Sequence, residues 1–228
     1  MRSRIARIAG IAACVAALAI PSFARAEQGV PWVAGTIGFH TYAMGDVNDD
    51  IHGINSIIAP LNMEDIKSGI GLGGAVGMTY TKFTVGVSYE RLKGSSNVSD
   101  VSGHIEYRVP ANLFLVEGAY RVPTSGSIGL GLGAGVGLVS SSAEFEFAVP
   151  VITDQTLKLE GKSPAFDVFV AGTADVYKHV AVVPMIGYRY AKVTEVKSDG
   201  IVLTNSDGSK YELDYSGLMT KVAVRFTL

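Results

Sequence analysis

The chain has almost no cysteine. Cys14 is the only one, and it lies in an apolar N-terminal stretch. Disulfides, thiolate metal sites and cysteine nucleophiles are thereby excluded from the rest of the chain. Charge is also scarce. Charged residues make up 18%, against about 25% in ordinary domains. That argues against disorder, which needs high polarity and charge. Long hydrophobic runs are missing too. Beyond the N-terminus no stretch reaches the roughly 20 apolar residues that a membrane-spanning helix requires. Yet 48% of the residues are hydrophobic and 27 are glycine, where glycine usually supplies about 7%. The polypeptide is too apolar for an ordinary water-soluble domain, and it has no helix with which to cross a bilayer.

Residues 1–26 read as a secretory signal. Arg2, Arg4 and Arg7 form a positive n-region, Ile8 to Ile20 an apolar segment, and Pro21 breaks it. Ala24-Arg25-Ala26 supplies the small-x-small pattern of signal peptidase, so cleavage is expected after Ala26, with Ala24 and Ala26 recognised. Cys14 has apolar residues continuing behind it, which is the wrong place for a lipid-bearing cysteine. Removal takes away four arginines and no acid, so that 15 of the 19 basic residues remain against 21 acidic ones. This acidic balance lacks the basic footprint of nucleic-acid binding. Residues 27–228 are expected to form one domain.

Period-2 alternation dominates that domain. It predicts eight strands, at about 32–44, 69–81, 83–92, 101–122, 128–148, 156–177, 180–197 and 211–228. Long polar links centred on 45–68, 93–100, 149–155 and 198–210 alternate with tight turns at Lys82, at 123–127 and at Lys178-His179. An up-and-down meander produces that alternation, with all long loops at one end. In the fifth segment Ile128, Leu130, Leu132, Ala134, Val136 and Leu138 share one face, and Gly129, Gly131, Gly133, Gly135 and Gly137 the other. In the last, Leu218, Val222, Val224, Phe226 and Leu228 oppose Met219, Lys221, Ala223 and Arg225.

The chemistry of the two faces decides which is inside. A glycine-rich, sparsely charged face is a poor coat for a soluble barrel. The apolar face carries almost no charge, and a Lys or Arg on a lipid-facing surface costs about 2–4 kcal/mol at mid-membrane. The apolar side is therefore expected to meet lipid, with glycines and charges inside. Tyr80, Phe83, Tyr120 and Phe226 fall toward the short-turn end and Tyr89, Tyr188, Tyr190 and Tyr215 toward the long-loop end, as two aromatic girdles require. An open sheet edge is not tolerated in hydrocarbon, so the eighth strand is expected to pair with the first. The fold class is all-β, an eight-stranded antiparallel transmembrane β-barrel.

The glycine-alternating strand Ile128–Leu138 and the C-terminal strand Gly217–Leu228 resemble the small eight-stranded outer-membrane barrels of Gram-negative bacteria. These are the OmpA-type transmembrane domain and its OmpX- and opacity-like relatives. Val222, Val224, Phe226 and Leu228 are similar to that family's C-terminal assembly signal, although the chain ends on Leu228 and not on the aromatic. The resemblance implies an outer-membrane location. It also implies contact with outer-membrane lipid and lipopolysaccharide, and passage through periplasmic chaperones and the barrel-assembly machinery.

The inward face carries Glu90, Glu117, Asp167 and Asp175 with Arg121, Arg189, Lys221 and Arg225, four acids and four bases. Eight strands enclose a space that side chains fill, so these charges are expected to plug the lumen as a neutralising network. His40 and Ser88 also face inward, and a lipid A-modifying enzyme would need such a pair within hydrogen-bond reach. No local motif imposes that geometry, so no catalytic residue is assigned. In the 45–68 link, Asp46, Asn48 and Asp50 imitate the start of a calcium loop. Ile51 and Ile57 stand where glycine and glutamate are needed, so no metal or cofactor is expected. Asp49 or Asp50 instead suits the cap of a short helix carrying Ile51, Ile54, Ile58 and Leu61, ended by Pro60. Alternating residues 143–149 and 155–162 predict a projecting hairpin with free edges for an extracellular protein. The function read from these features is a structural or surface-interaction role. The alternatives are a narrow conduit for small or apolar solutes and a lipid A-modifying enzyme.

Overall fold

The computed structural model describes residues 29–58, 62–100, 103–123, 128–149 and 152–228. The leader with Ala24 and Ala26 lies outside the described residues, as do Pro60 and Leu61. The chain runs β1 (Val30–Thr41), α1 (Gly45–Ile58), β2 (Ser68–Thr79), β3 (Phe83–Lys93), β4 (Ser95–Asp100), β5 (Gly103–Arg108), β6 (Ala111–Val122), β7 (Ile128–Val149), β8 (Ile152–Tyr177) and β9 (Val180–Tyr190). Short pieces β10 (Lys192–Val193), β11 (Lys197–Ser198), β12 (Ile201–Val202) and β13 (Leu213–Asp214) precede β14 (Gly217–Thr227). Strands β1, β2, β3, β6, β7, β8, β9 and β14 each pair antiparallel with the next. β14 returns to β1, from Trp32↔Thr227 to His40↔Met219, and closes the ring. A closed ring leaves no open sheet edge within the hydrocarbon, where each bare backbone group would cost several kcal/mol.

Orientation follows the alternation. Leu130, Leu132, Val168, Ile186 and Val224 are exposed on the outer wall, Val168 at 58%. Ala165, Asp167, Phe169 and Ala171 of the same β8 are buried inside. Six of the ring strands run 11 or 12 residues, close to the 9–11 that cross a bilayer at a tilt. β7 and β8 run 22 and 26 residues, so their upper halves stand clear of the membrane. Aromatic pairs mark the two levels, with Tyr89–Phe114 at 4.9 Å and Phe166–Tyr190 at 6.4 Å toward the long-loop end. Phe83–Tyr120 at 5.4 Å lies at the other.

Several boundaries differ from those read off the periodicity. The fourth segment is two strands, because Pro110 has no N–H to donate and the chain steps sideways there. Its carbonyl instead accepts from the Ser142 N–H at 3.2 Å, while Val109 N–H bonds Gly94 at 2.8 Å. The supposed polar link at 93–100 contains β4, which pairs with β5, and β5 pairs with the overhang of β7. The seventh strand stops at Tyr190 and the eighth starts at Gly217. Ala191, Val193, Val196, Tyr211, Leu213 and Tyr215 between them turn inward to a common apolar core. Tyr215 accordingly belongs to that core and not to a girdle. It is 1% exposed, with its ring edge-on to Tyr42.

α1 begins at Gly45, so Asp49 and Asp50 sit within it and cap nothing. Asp46 occupies the first turn, where a carboxylate suits the helix dipole, and accepts from the Glu212 N–H at 2.7 Å. Val47 and Ile51 are fully buried in the core, with Ile54 and Ile58 packed against it. Asn48 and Asn55 accept the N–H groups of Ile66 and Met63, each at 2.8 Å. The helix is thus strapped across the mouth of the barrel.

Candidate functional site

The lumen is built in three levels. The uppermost is apolar, formed by Met44, Val47, Ile51, Leu92, Leu113, Val139, Leu159 and Leu213 with their neighbours. Three of its tyrosines are paired through their hydroxyls, while the buried Tyr42 hydroxyl has no partner among the described residues. Tyr107 and Tyr211 hydroxyls lie 2.8 Å apart, Tyr211 donates to Asp50 at 2.6 Å, and the Tyr215 hydroxyl meets Ser141. Burial pushes all three phenols above their ordinary range, so they remain hydrogen-bond donors at neutral pH. Burial also raises the Asp50 carboxyl, against the lowering effect of the Tyr211 hydrogen bond.

Beneath it lies a charged belt. Arg189 on β9 donates from Nε and Nη2 to both oxygens of Asp167 on β8, at 3.0 and 2.9 Å. Its Nη2 also reaches Glu90 on β3 at 2.8 Å, and Nη1 lies 3.3 Å from His40 Nδ1 on β1. Because a guanidinium only donates, Nδ1 must accept. His40 is therefore the Nε2–H tautomer, and it donates that proton to Glu90 at 2.7 Å. Lys221 on β14 approaches Glu90 at 3.8 Å and Glu117 at 3.6 Å. Ser88 donates to Glu117 at 3.0 Å. Room for the belt comes from β2, where a Cβ on Gly71 would collide with Glu90 and His40. Such a buried set is tolerable because every charge has a partner, and an orphaned member would be costly.

Of the eight inward charges named from the alternation, Glu90, Glu117, Asp167, Arg189 and Lys221 meet in this belt. Arg121, Asp175 and Arg225 do not. They lie near the short-turn end, and among the described residues none of the three makes an ion pair. Arg225 rests over the Trp32 ring, 5.9 Å from its centroid. Asp175 and Arg121 are exposed. The reason is depth. Arg225 pairs in register with Ala181, and Ala181 with Asp175, four residues below the level of Lys221. Period 2 shows on which face a residue lies but not which charges share a layer. His40 was missing from the expected set, although its inward position in β1 was readable.

His40 and Ser88 are not brought together, since each bonds a different glutamate. A serine–histidine contact does occur on the outer β4–β5 hairpin, where Ser99 Oγ and His104 Nδ1 lie 2.5 Å apart. His104 Nε2 is 3.4 Å from Glu106. That carboxylate is engaged by Arg108 at 2.6 Å, which holds it below the usual range. Below the belt, a third level opens as a cavity of about 100 Å³ between Trp32, Phe169, Met185, Arg121 and Arg225. On the C-terminal strand, Val222, Val224, Phe226 and Leu228 are exposed on the outer wall.

A family model described as outer membrane protein beta-barrel domain matches residues 10–226. No curated protein matches the chain. Among solved structures, the Neisserial surface protein A is similar at 14% identity and a TM-score of 0.47, covering 87% of this chain and 97% of that one. The attachment invasion locus protein Ail of Yersinia pestis is similar at 10% identity and 0.47, covering 87% and 99%. OprG of Pseudomonas aeruginosa is similar at 11% identity and 0.47, covering 88% and 96%.

Proposed function

Because the chain belongs to the outer membrane protein β-barrel family and resides in the Gram-negative outer membrane, we propose that it is a closed surface protein. In this reading it conducts nothing and catalyses nothing, and it interacts with extracellular protein through its outer hairpins. The observation that carries the reading is the double obstruction of the lumen. An apolar core strapped by α1 stands above the belt of His40, Glu90, Asp167 and Arg189. Eight strands leave an interior only wide enough for side chains, and here two successive layers fill it. The termini and tight turns belong on the periplasmic side and the long connections outside, following the family layout.

The interaction surface is the overhang of β7 and β8 with the β4–β5 hairpin at its side. β4 is the last strand of the sheet in that direction, so its outer backbone edge is open to another strand. Val222, Val224, Phe226 and Leu228 serve assembly by the barrel machinery, and Ala24 and Ala26 serve removal of the leader. Planar-bilayer recording tests the closed lumen, and a steady high-conductance state overturns it. Surface display tests the interaction. Cells bearing the wild-type chain should bind immobilised matrix protein, and cells in which residues 146–156 are replaced by a tight turn, leaving Ala143 and Leu159 in the core, should not. Equal binding overturns the role given to the overhang.

A further inference from the structure

The third level of the lumen has no part in that closed-surface role, and its chemistry is specific. The wall near its mouth carries two guanidinium groups, Arg121 and Arg225. Neither makes an ion pair among the described residues, and both line the same cavity. Among the described residues one carboxylate, Asp175, shares this level, in register through Ala181 with Arg225, so the mouth keeps an excess of positive charge. Higher up, the wall turns apolar at Val183, Phe169 and Met185. At the top stands Glu117, held by Ser88 and Lys221. Trp32 is 9% exposed and lies on the wall beneath Arg225. Its indole N–H has no hydrogen-bond partner.

A pocket with unpaired cations at its entrance, an apolar middle and a carboxylate at its far end selects an amphiphile of one polarity. The ligand's anionic head is attracted at the entrance, while the far end holds only a carboxylate already engaged by Lys221 and Ser88 and offers no free cation, so the tail enters first. A single water position takes about 10–15 Å³, so a cavity of about 100 Å³ suits a chain of a few carbons. We propose that this pocket binds short aliphatic carboxylates from the periplasmic side, the carboxylate held by Arg121 and Arg225 and the chain lying along Phe169 and Met185. A closed lumen above the pocket makes this a binding site and not a passage.

Trp32 is the chain's only tryptophan, so its fluorescence reports on this wall alone. The probe is 6-bromohexanoate, whose bromine quenches indole on contact, with 6-bromohexanol as the neutral counterpart. Both are titrated into refolded protein in lipid vesicles. The expected result is saturable quenching by the acid, relieved by unlabelled hexanoate, with the alcohol at least about tenfold weaker. The variant Arg121→Gln/Arg225→Gln should raise the half-saturation concentration for the acid by about tenfold or more, the equivalent of about 1.4 kcal/mol. Gly131→Leu keeps both arginines and fills the cavity. A Cβ there meets its nearest atom at 3.5 Å, so the fold accommodates it, and quenching should be lost. Heat-dependent gel migration confirms that each variant is folded. Unsaturable quenching, equal quenching by the alcohol, or quenching that survives either variant overturns the proposal. None of these results bears on whether the barrel conducts, which the bilayer recording tests separately.

Discussion

Arg189 and Asp167 face each other across the β8–β9 pair and make two parallel hydrogen bonds at 3.0 and 2.9 Å, both side chains at most 1% exposed. The fork geometry of the guanidinium matches a carboxylate in this bidentate manner, and its remaining donors reach Glu90 and His40. Arg189 is thus the hub that neutralises two acids on two other strands. Arg189→Met should leave Asp167 and Glu90 without that cation and cost about 3–5 kcal/mol. Asp167→Leu combined with Arg189→Met should cost less than the two single changes added. Urea-induced unfolding in vesicles measures both, and strict additivity would show that the pair is not coupled.

Two glycines of neighbouring strands make a sharper contrast. Gly71 lies under the belt, where any Cβ would strike Glu90 and His40, whereas nothing stands within 4 Å of a Cβ on Gly35. Gly71→Ala should therefore overpack the belt and cost about 1–3 kcal/mol. Gly35→Ala should be neutral. The midpoint of heat-dependent gel migration reads the difference.

The eight-stranded ring and its polarity were legible in the sequence because both rest on period 2, which survives in every ring strand. Leu132 and Val168 point out, and Asp167 and Lys221 point in, as that alternation demands. The upper plug was not legible. Val193, Val196, Leu213 and Tyr215 carry the same residue types as strand positions, and only the turn of the chain after Tyr190 sends them into one core. The division of the charges into a belt and a mouth was hidden for a related reason. It depends on the stagger between strands, which puts Asp167 opposite Arg189 but leaves Asp175 opposite Ala181.

Asp50 carries a pH dependence into the outer cap. Its burial in α1 raises the carboxyl's pKa despite the Tyr211 hydrogen bond. The folded cap therefore favours the protonated form. The stabilisation is complete below the ordinary aspartate range and is lost as pH rises through the raised value. Asp50→Asn keeps an oxygen to accept from Tyr211 and removes the titration. Amide exchange in α1 should quicken in the wild type as pH rises from the ordinary aspartate range toward neutrality, after correction for intrinsic rates, and change less in the variant.

Glu106 on the β4–β5 hairpin has the opposite sign. Its pKa is lowered chiefly by the hydrogen bond from Arg108. The contribution of that pair is present above the ordinary glutamate range and is lost as pH falls through the lowered value. Arg108 is exposed, so solvent screens the pair and its share of the stability is small. Acidification should raise proteolytic cleavage within β4 and β5 while the ring stays intact, and Glu106→Gln should show the raised cleavage already at pH 7.

Ile51 tests whether the two seals act in series. It is fully buried at the centre of the plug, between α1 and the core, and Ile51→Ala removes packing worth about 2–5 kcal/mol. The cap should loosen, and protease should cut α1 in the variant but not in the wild type. Ion current should nevertheless stay at the wild-type level, because the belt below is held by bonds that do not involve α1. Joining Ile51→Ala to Arg189→Met removes one member from each layer. Current in planar bilayers should then rise for the double variant alone. Current already rising with Ile51→Ala would mean that the plug is the only barrier and that the charged belt admits ions.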